Sequence, residues 1–171
     1  ALAIDVGANK LLVIELWDAY LPGSFFMSNG LATMGYALPA ALALQLNDPK
    51  RKVVSLCGDG GFLMRLPELA TAVQHRLPIV MVVFSDSRLS LIDVKQIKKC
   101  YAEARGTVFA RPNYLDLGRS FGIPSWSVES DEELRGALMS ALTADDGLPK
   151  LIEARIDPSS YPQQFDAVRE L

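Results

Sequence analysis

The sequence predicts an α/β fold: a parallel sheet of about six strands with helices on both faces, in a single domain. Three observations predict it. Short β-branched runs alternate along the chain with longer amphipathic stretches. Residues 79–84, Ile-Val-Met-Val-Val-Phe, are continuously apolar, as a strand buried on both faces requires. Two such runs stop at loops of glycine, serine and aspartate, the places where open α/β sheets hold ligands.

Taken in order, residues 1–6 form a first strand, with a helix over 9–20 behind it. Residues 24–28 are a short apolar run, and residues 35–46, rich in Ala and Leu, read as a buried helix. Strand 52–57 stops at Gly58-Asp59-Gly60-Gly61. Pro67 favours the first turn of a helix over 67–76. After strand 79–84, residues 89–101 alternate apolar and basic positions at helical spacing. Residues 106–113 are the longest polar connection and a candidate mobile loop. A short helix over 114–121 ends at Gly122, and residues 126–128 are a strand. Ser130 caps a helix over 131–144, with Glu133 completing a capping box. The last strand, 151–156, ends at Asp157-Pro158.

Composition removes several function classes. The chain has 171 residues, half of them hydrophobic, and a formal net charge of −3. A nucleic-acid-binding face needs a basic excess that this charge does not supply. No apolar run approaches the roughly 18 residues of a membrane span. Cys57 and Cys100 are the only cysteines and His75 the only histidine, so neither a zinc cluster nor a disulfide framework is expected. Reduced thiols fit a cytoplasmic protein. The chain opens Ala-Leu-Ala-Ile-Asp and reads as cut from something longer.

Two loops carry the candidate chemistry. In Gly58-Asp59-Gly60-Gly61, glycines let backbone N–H groups approach a phosphate. Asp59 would repel that phosphate unless a cation lay between them, and Mg²⁺ and Ca²⁺ are the cations that prefer oxygen ligands. Ser85-Asp86-Ser87 follows the next strand. If the two strands are neighbours, Asp59 and Asp86 flank one cation. Spacing alone equally fits a tight turn and a helix N-cap. A nicotinamide-binding fold ranks lower, because the GxGxxG spacing is missing.

Further residues shift that balance. Leu42-Ala43, Pro49, Val54, Leu56 and Gly58-Asp59-Gly60-Gly61 resemble the consensus of thiamine diphosphate enzymes. In that family an Asn or Asp ligand follows the Gly-Asp-Gly motif after a buried strand, and here 25 residues separate Gly60 from Asp86. Residues 30–41 are similar to the segment that grips the cofactor rings. The stretch from Asn113-Tyr114-Leu115 to Asp157-Pro158 is similar to acetolactate synthase-like members. The resemblance covers essentially the whole chain.

It implies a thiamine diphosphate- and Mg²⁺-dependent C–C lyase or ligase acting on small 2-oxo acids, with this chain as the C-terminal diphosphate-binding domain. Asp59, Asp86 and the main-chain carbonyl of Arg88 would hold the metal. Gly58, Gly60 and Gly61 would cradle the diphosphate, joined by Gly7, Ala8 and Asn9. Met34 would sit under the thiazolium and the Ala32 carbonyl would take a hydrogen bond from the 4′-amino group, with Thr33 between them. Leu89 and Leu91 would touch the rings or the metal loop.

Departures from the family pattern leave the substrate open. Ala8 and Asn9 replace a glutamine and a histidine. Asn29, Ala32 and Ser90 stand where glycine is common, and Ser85 and Ser87 replace frequent asparagines. The family's catalytic glutamate lies on a pyrimidine-binding domain that this chain lacks. No catalytic residue is therefore assigned here, and the chain alone is expected at most to bind cofactor. The expected partner is that domain, in the same or another chain, within a homo-oligomer. Alternatives are a separate subunit that needs a partner chain, and a non-catalytic assembly module. Glu15, Glu68, Cys57, His75, the lysines 95, 98 and 99, and Trp17 and Trp126 are read as structural or solvated.

Overall fold

The computed structural model describes residues 1–99, 103 and 105–169. Its strands are β1 (Leu2–Ile4), β2 (Phe25–Met27), β3 (Val54–Gly58), β4 (Val80–Ser85), β5 (Ser125–Val128) and β6 (Lys150–Arg155). All pair in parallel, in one six-stranded sheet of order β2-β1-β3-β4-β6-β5. The helices are α1 (Ala8–Leu16), α2 (Ala37–Asn47), α3 (Asp59–Leu63), α4 (Glu68–Gln74), α5 (Ser90–Lys98), α6 (Tyr114–Ser120), α7 (Asp131–Thr143) and α8 (Tyr161–Arg169). The sheet and helices α1, α2, α4, α5, α6 and α7 are those the sequence predicted.

The apolar run of β4 is explained by what covers it. Met81 and Val83 point to one face, against Leu38 and Leu42 of α2, Leu69 of α4 and Tyr114 of α6. Val80 and Val82 point to the other, against Ala137 and Ala141 of α7. Each buried side chain of that size contributes about 1.5–3 kcal/mol, so neither face tolerates a polar residue without a partner. A third cluster joins α1, α5 and α8 through Ala8, Val94, Tyr161 and Phe165.

The chain order places the site. From β1 the chain moves outward to β2, then returns past β1 to start β3 on its other side. The loops leaving β1 and β3 therefore diverge, and open α/β sheets form their ligand crevice at such a switch point.

One helix end and two further helices depart most from expectation. The helix expected over 9–20 ends at Leu16, because Trp17 is extended (φ −92°, ψ 118°) and stacks on Phe25 with ring centroids 6.1 Å apart. The Gly-Asp-Gly-Gly turn itself begins a helix, α3. Helix α8 was not anticipated, because its apolar anchors Tyr161 and Phe165 are too few to show a period. Cys100 and Tyr101, placed by the sequence at and near the end of α5, lie outside the described residues. At α7, Ser130 Oγ accepts from Glu133 N (3.3 Å), but the Glu133 carboxylate reaches the Glu129 N–H rather than that of Ser130.

Candidate functional site

Strands β3 and β4 are hydrogen-bonded neighbours, with Gly58 opposite Phe84, so their loops leave the same sheet edge side by side. This brings Asp59 to Asp86. Asp59 is 2% exposed. Its Oδ2 accepts the N–H groups of Asp86 (3.1 Å) and Ser87 (2.7 Å), and its Oδ1 accepts that of Gly60 (2.7 Å). Asp86 Oδ1 accepts from Arg88 N (3.0 Å), and its Oδ2 from the Ser90 hydroxyl. Ser87 holds φ +59°, the left-handed backbone that aims its N–H at Asp59.

The electrostatics of this pair are unbalanced. Burial pushes the Asp59 carboxyl up to about 6; its backbone N–H partners oppose that shift and the neighbouring Asp86 adds to it. Burial raises Asp86 as well, against its bonds from Ser90 and Arg88. Among the described residues neither carboxylate forms an ion pair with lysine or arginine. Two half-compensated carboxylates beside a backbone turn form the all-oxygen donor set that suits a hard divalent cation.

The remaining walls are built by close packing. A Cβ on Gly60 would stand 2.6 Å from Leu89 Cδ2 and 3.2 Å from Met34 Cε, so any side chain here would push the tips of those two residues apart. Asp5, at the end of β1 and 1% exposed, ties the loops together. Its carboxylate accepts from Val6 N (2.8 Å), Gly35 N (2.9 Å) and Tyr36 N (2.9 Å), and it fills the space a Cβ on Gly61 would need. Buried Asn9 donates to the Asp5 carbonyl (3.2 Å). Ala32 holds φ +50°, which gives a steric reason for the glycine common at this place in the family it resembles.

These elements enclose a cleft of about 390 Å³. Gly7, Ala8, Asn9, Ala32, Met34, Gly58, Asp59, Gly60, Gly61, Asp86, Arg88, Leu89 and Leu91 all line it. Thr33 does not; its side chain is exposed. The sequence reading missed Asp5, Lys95, Ile156 and Tyr161. Lys95 and Tyr161 line the cleft from α5 and α8, and Asp5 supports it from beneath. An aspartate directly after an apolar strand was the available signal for Asp5; nothing local marks the other three. Glu15, Glu68 and His75 lie outside the cleft, and among the described residues no glutamate lines it. His75 sits with Pro78 at the opposite sheet edge. Cys57 is buried in the core beside Val83.

Residues 5–154 match the family model described as thiamine pyrophosphate enzyme, C-terminal TPP binding domain. The chain belongs to this family. Thiamine pyrophosphate is thiamine diphosphate under another name, so the match agrees with the residues that suggested the resemblance. Relatives within the thiamine pyrophosphate enzymes include the acetolactate synthase of Bacillus subtilis (strain 168), 35% identical over 91% of this chain and 27% of that protein. A probable acetolactate synthase large subunit of Methanococcus aeolicus is 33% identical over 91% of this chain and 26% of that protein. A catabolic acetolactate synthase of Raoultella terrigena is 32% identical over 94% and 28%. The chain thus spans about a quarter of the length of the curated relatives it matches. It is a TPP-binding C-terminal domain of the acetolactate synthase-like kind. No helix among the described residues is long and apolar enough to cross a membrane.

Proposed function

We propose that this chain supplies the diphosphate- and Mg²⁺-binding half of a thiamine diphosphate-dependent C–C lyase or ligase acting on small 2-oxo acids. The observation that carries the reading is the meeting of Asp59 and Asp86 on adjacent strand ends, with no basic partner among the described residues, beside a glycine-walled cleft. Asp59, Asp86 and the Arg88 carbonyl hold the cation. Gly58, Gly60 and Gly61, with Gly7, Ala8 and Asn9, form the diphosphate end. Met34 and Leu89 crowd the ring end, where Ala32 and Leu91 complete the wall; Thr33, between Ala32 and Met34, keeps its side chain outside it. When bound, thiamine diphosphate supplies the nucleophilic carbon and the electron sink for cleaving or forming a bond next to a 2-oxo carbonyl.

The chain's own contribution is position and electrostatics. Its buried carboxylates hold the cation at a fixed edge, and its apolar wall keeps water from the reacting end. No glutamate lines the cleft among the described residues, which supports a pyrimidine-binding domain as the necessary partner, on the same or another chain. Leu16, Tyr20, Leu21 and Leu31 are exposed apolar residues that such a partner, or a second subunit of a homo-oligomer, would cover. We place the protein in the cytoplasm.

Thermal unfolding of the full-length protein with thiamine diphosphate, with and without Mg²⁺ and with EDTA as control, tests the reading. A ligand at 100 times its Kd stabilises by about 2.7 kcal/mol, or several degrees. The midpoint is expected to rise only when both are present. A shift that ignores Mg²⁺, or no shift at all, would overturn it.

A further inference from the structure

The sequence marks residues 106–113 as a loop free to move, yet the structure ties this segment down at three places. Near its start, Thr107 Oγ1 donates to Asp93 Oδ1 of α5 (2.8 Å). Along its length it runs antiparallel to the turn after β4: Leu89 N donates to the Thr107 carbonyl (2.8 Å), and Phe109 N donates to the Ser87 carbonyl (3.1 Å). Those two bonds bracket Arg88, whose own carbonyl the proposed function assigns to the metal. At its end, Arg111 Nε and Nη2 fork onto Glu153 Oε1 and Oε2, each at 2.6 Å.

Glu153 is the unusual member. It lies inside β6, fully buried, on the sheet face that otherwise carries Leu151 and the apolar core. A carboxylate there is costly unless it is paired and hydrogen-bonded. Ser127 Oγ, on the neighbouring strand, completes its shell at 2.8 Å. Burial alone would raise its pKa; the bonds from Arg111 and Ser127 reverse this and hold it below the usual carboxylate range. Arg111 itself is more than a third exposed, so the pair joins an interior strand of the sheet to a surface segment. A planar guanidinium meeting a carboxylate through two bonds fixes direction as well as distance.

We propose that the Arg111–Glu153 fork is a positioning device for the metal site: it pins residues 107–111 against the turn at residues 86–89 and so fixes the Arg88 carbonyl facing Asp59 and Asp86. Neither Arg111 nor Glu153 lines the cleft. They act through the backbone strip between them and the ligand turn. The inference rests on the metal assignment proposed above.

Two variants of the full-length protein test it: Arg111→Met, and Arg111→Met with Glu153→Gln. The single variant leaves a buried carboxylate unpaired and is expected to lose several degrees of thermal midpoint. The double variant removes both charges, so its metal-free midpoint stays near that of the wild type. Mg²⁺ is titrated at saturating thiamine diphosphate, and the half-saturating concentration is read by calorimetry. It is expected to rise about tenfold in the double variant, and Arg111→Lys, which keeps the charge but not the fork, should recover only part of the wild-type value. A merely structural pair would move the midpoint and leave the Mg²⁺ requirement alone. A double variant with wild-type Mg²⁺ half-saturation therefore overturns the positioning role while the metal site stands. A wild type with no Mg²⁺ dependence overturns the metal site, and this inference with it.

Discussion

The two edges of the sheet bury polar groups in opposite ways. At the N-terminal edge, Gln45 is 1% exposed and its amide donates to the carbonyls of Asp48, Pro49 and Arg51 at 3.0–3.2 Å. Lys150, also buried, pairs with Asp146 at 2.5 Å and donates to the Leu148 carbonyl at 2.9 Å. That edge supplies each buried donor and cation from its own loops. At the C-terminal edge, Asp5, Asp59 and Asp86 accept backbone N–H groups and, for Asp86, one hydroxyl, with no basic side chain paired to them among the described residues. One end pairs its buried donors and its buried cation, leaving Gln45 Oε1 without a partner among the described residues, and the other is left with an anionic surplus. That surplus is what supports the cation site proposed at that end.

The largest expected difference follows directly. Asp59→Ala should weaken Mg²⁺-dependent thiamine diphosphate binding by about 100-fold or more, since even supporting groups around a metal are worth 10–100-fold. Lys150→Met, at the other edge, should leave binding unchanged and cost about 1 kcal/mol of stability, because its partner Asp146 is half exposed and stays hydrated when left alone. Calorimetric titration with cofactor in excess Mg²⁺ separates the two. Equal losses of binding in both variants would erase the contrast between the edges.

Next comes Gly61→Ala. Its new methyl has no room beside the Asp5 carboxylate, which is held in place by three backbone N–H groups. Overpacking of this kind costs about 1–3 kcal/mol. Denaturant unfolding should register that loss, and the variant should also bind cofactor more weakly, because Asp5 anchors the loop that carries Met34. An unchanged denaturation midpoint would mean that Asp5 yields, and that the C-terminal edge is softer than its packing indicates.

Most of this edge was legible in the sequence, and the omissions share a cause. The strands were visible because β3 and β4 are apolar on both faces, and the two aspartates because each stands where such a run stops. Asp5 follows the same rule, but the strand expected over 1–6 placed this carboxylate inside the run, whereas β1 is only Leu2–Ile4 and Asp5 stands at its end. Glu153 and Arg111 lie 42 positions apart, and only the fold brings them together. The same holds for Lys95 and Tyr161, which reach the cleft from helices whose positions are set by the α1–α5–α8 cluster. Local pattern finds residues at strand ends. It does not find those delivered by packing.

Titration should separate the edges by sign. The folded pKa of Asp59, about 6, lies above the ordinary 3.8, so protonation favours the metal-free fold. Its stabilising contribution is full below about pH 3.8 and is lost as pH rises through 6. Asp146 is held below 3.8 by Lys150 first and by the Leu148 N–H; its contribution is present above 3.8 and lost as pH falls through its lowered value. Without metal, the thermal midpoint should therefore climb as pH drops from 7 to 5, while the shift produced by Mg²⁺ and cofactor shrinks over the same window. A metal-free midpoint that falls between pH 7 and 5 would contradict the sign assigned to Asp59.

The smallest effect probes backbone strain at each edge. Ala32 in the cleft wall and Arg76 at the far edge both hold φ +50°, a conformation costing a residue with a side chain roughly 1–2 kcal/mol. Glycine removes that cost, but its greater freedom in the unfolded chain takes back about 0.4–1 kcal/mol. At Ala32 no side-chain bond is lost, so Ala32→Gly should stabilise by about 0.5 kcal/mol, near one or two degrees of midpoint. At Arg76 the side chain also donates to the Asp146 carbonyl at 2.9 Å, so Arg76→Gly loses that bond and gains nothing net. If Ala32→Gly destabilises instead, the left-handed turn in the cleft is held by more than its φ, and the preference for glycine there reflects contact with the cofactor rather than relief of strain.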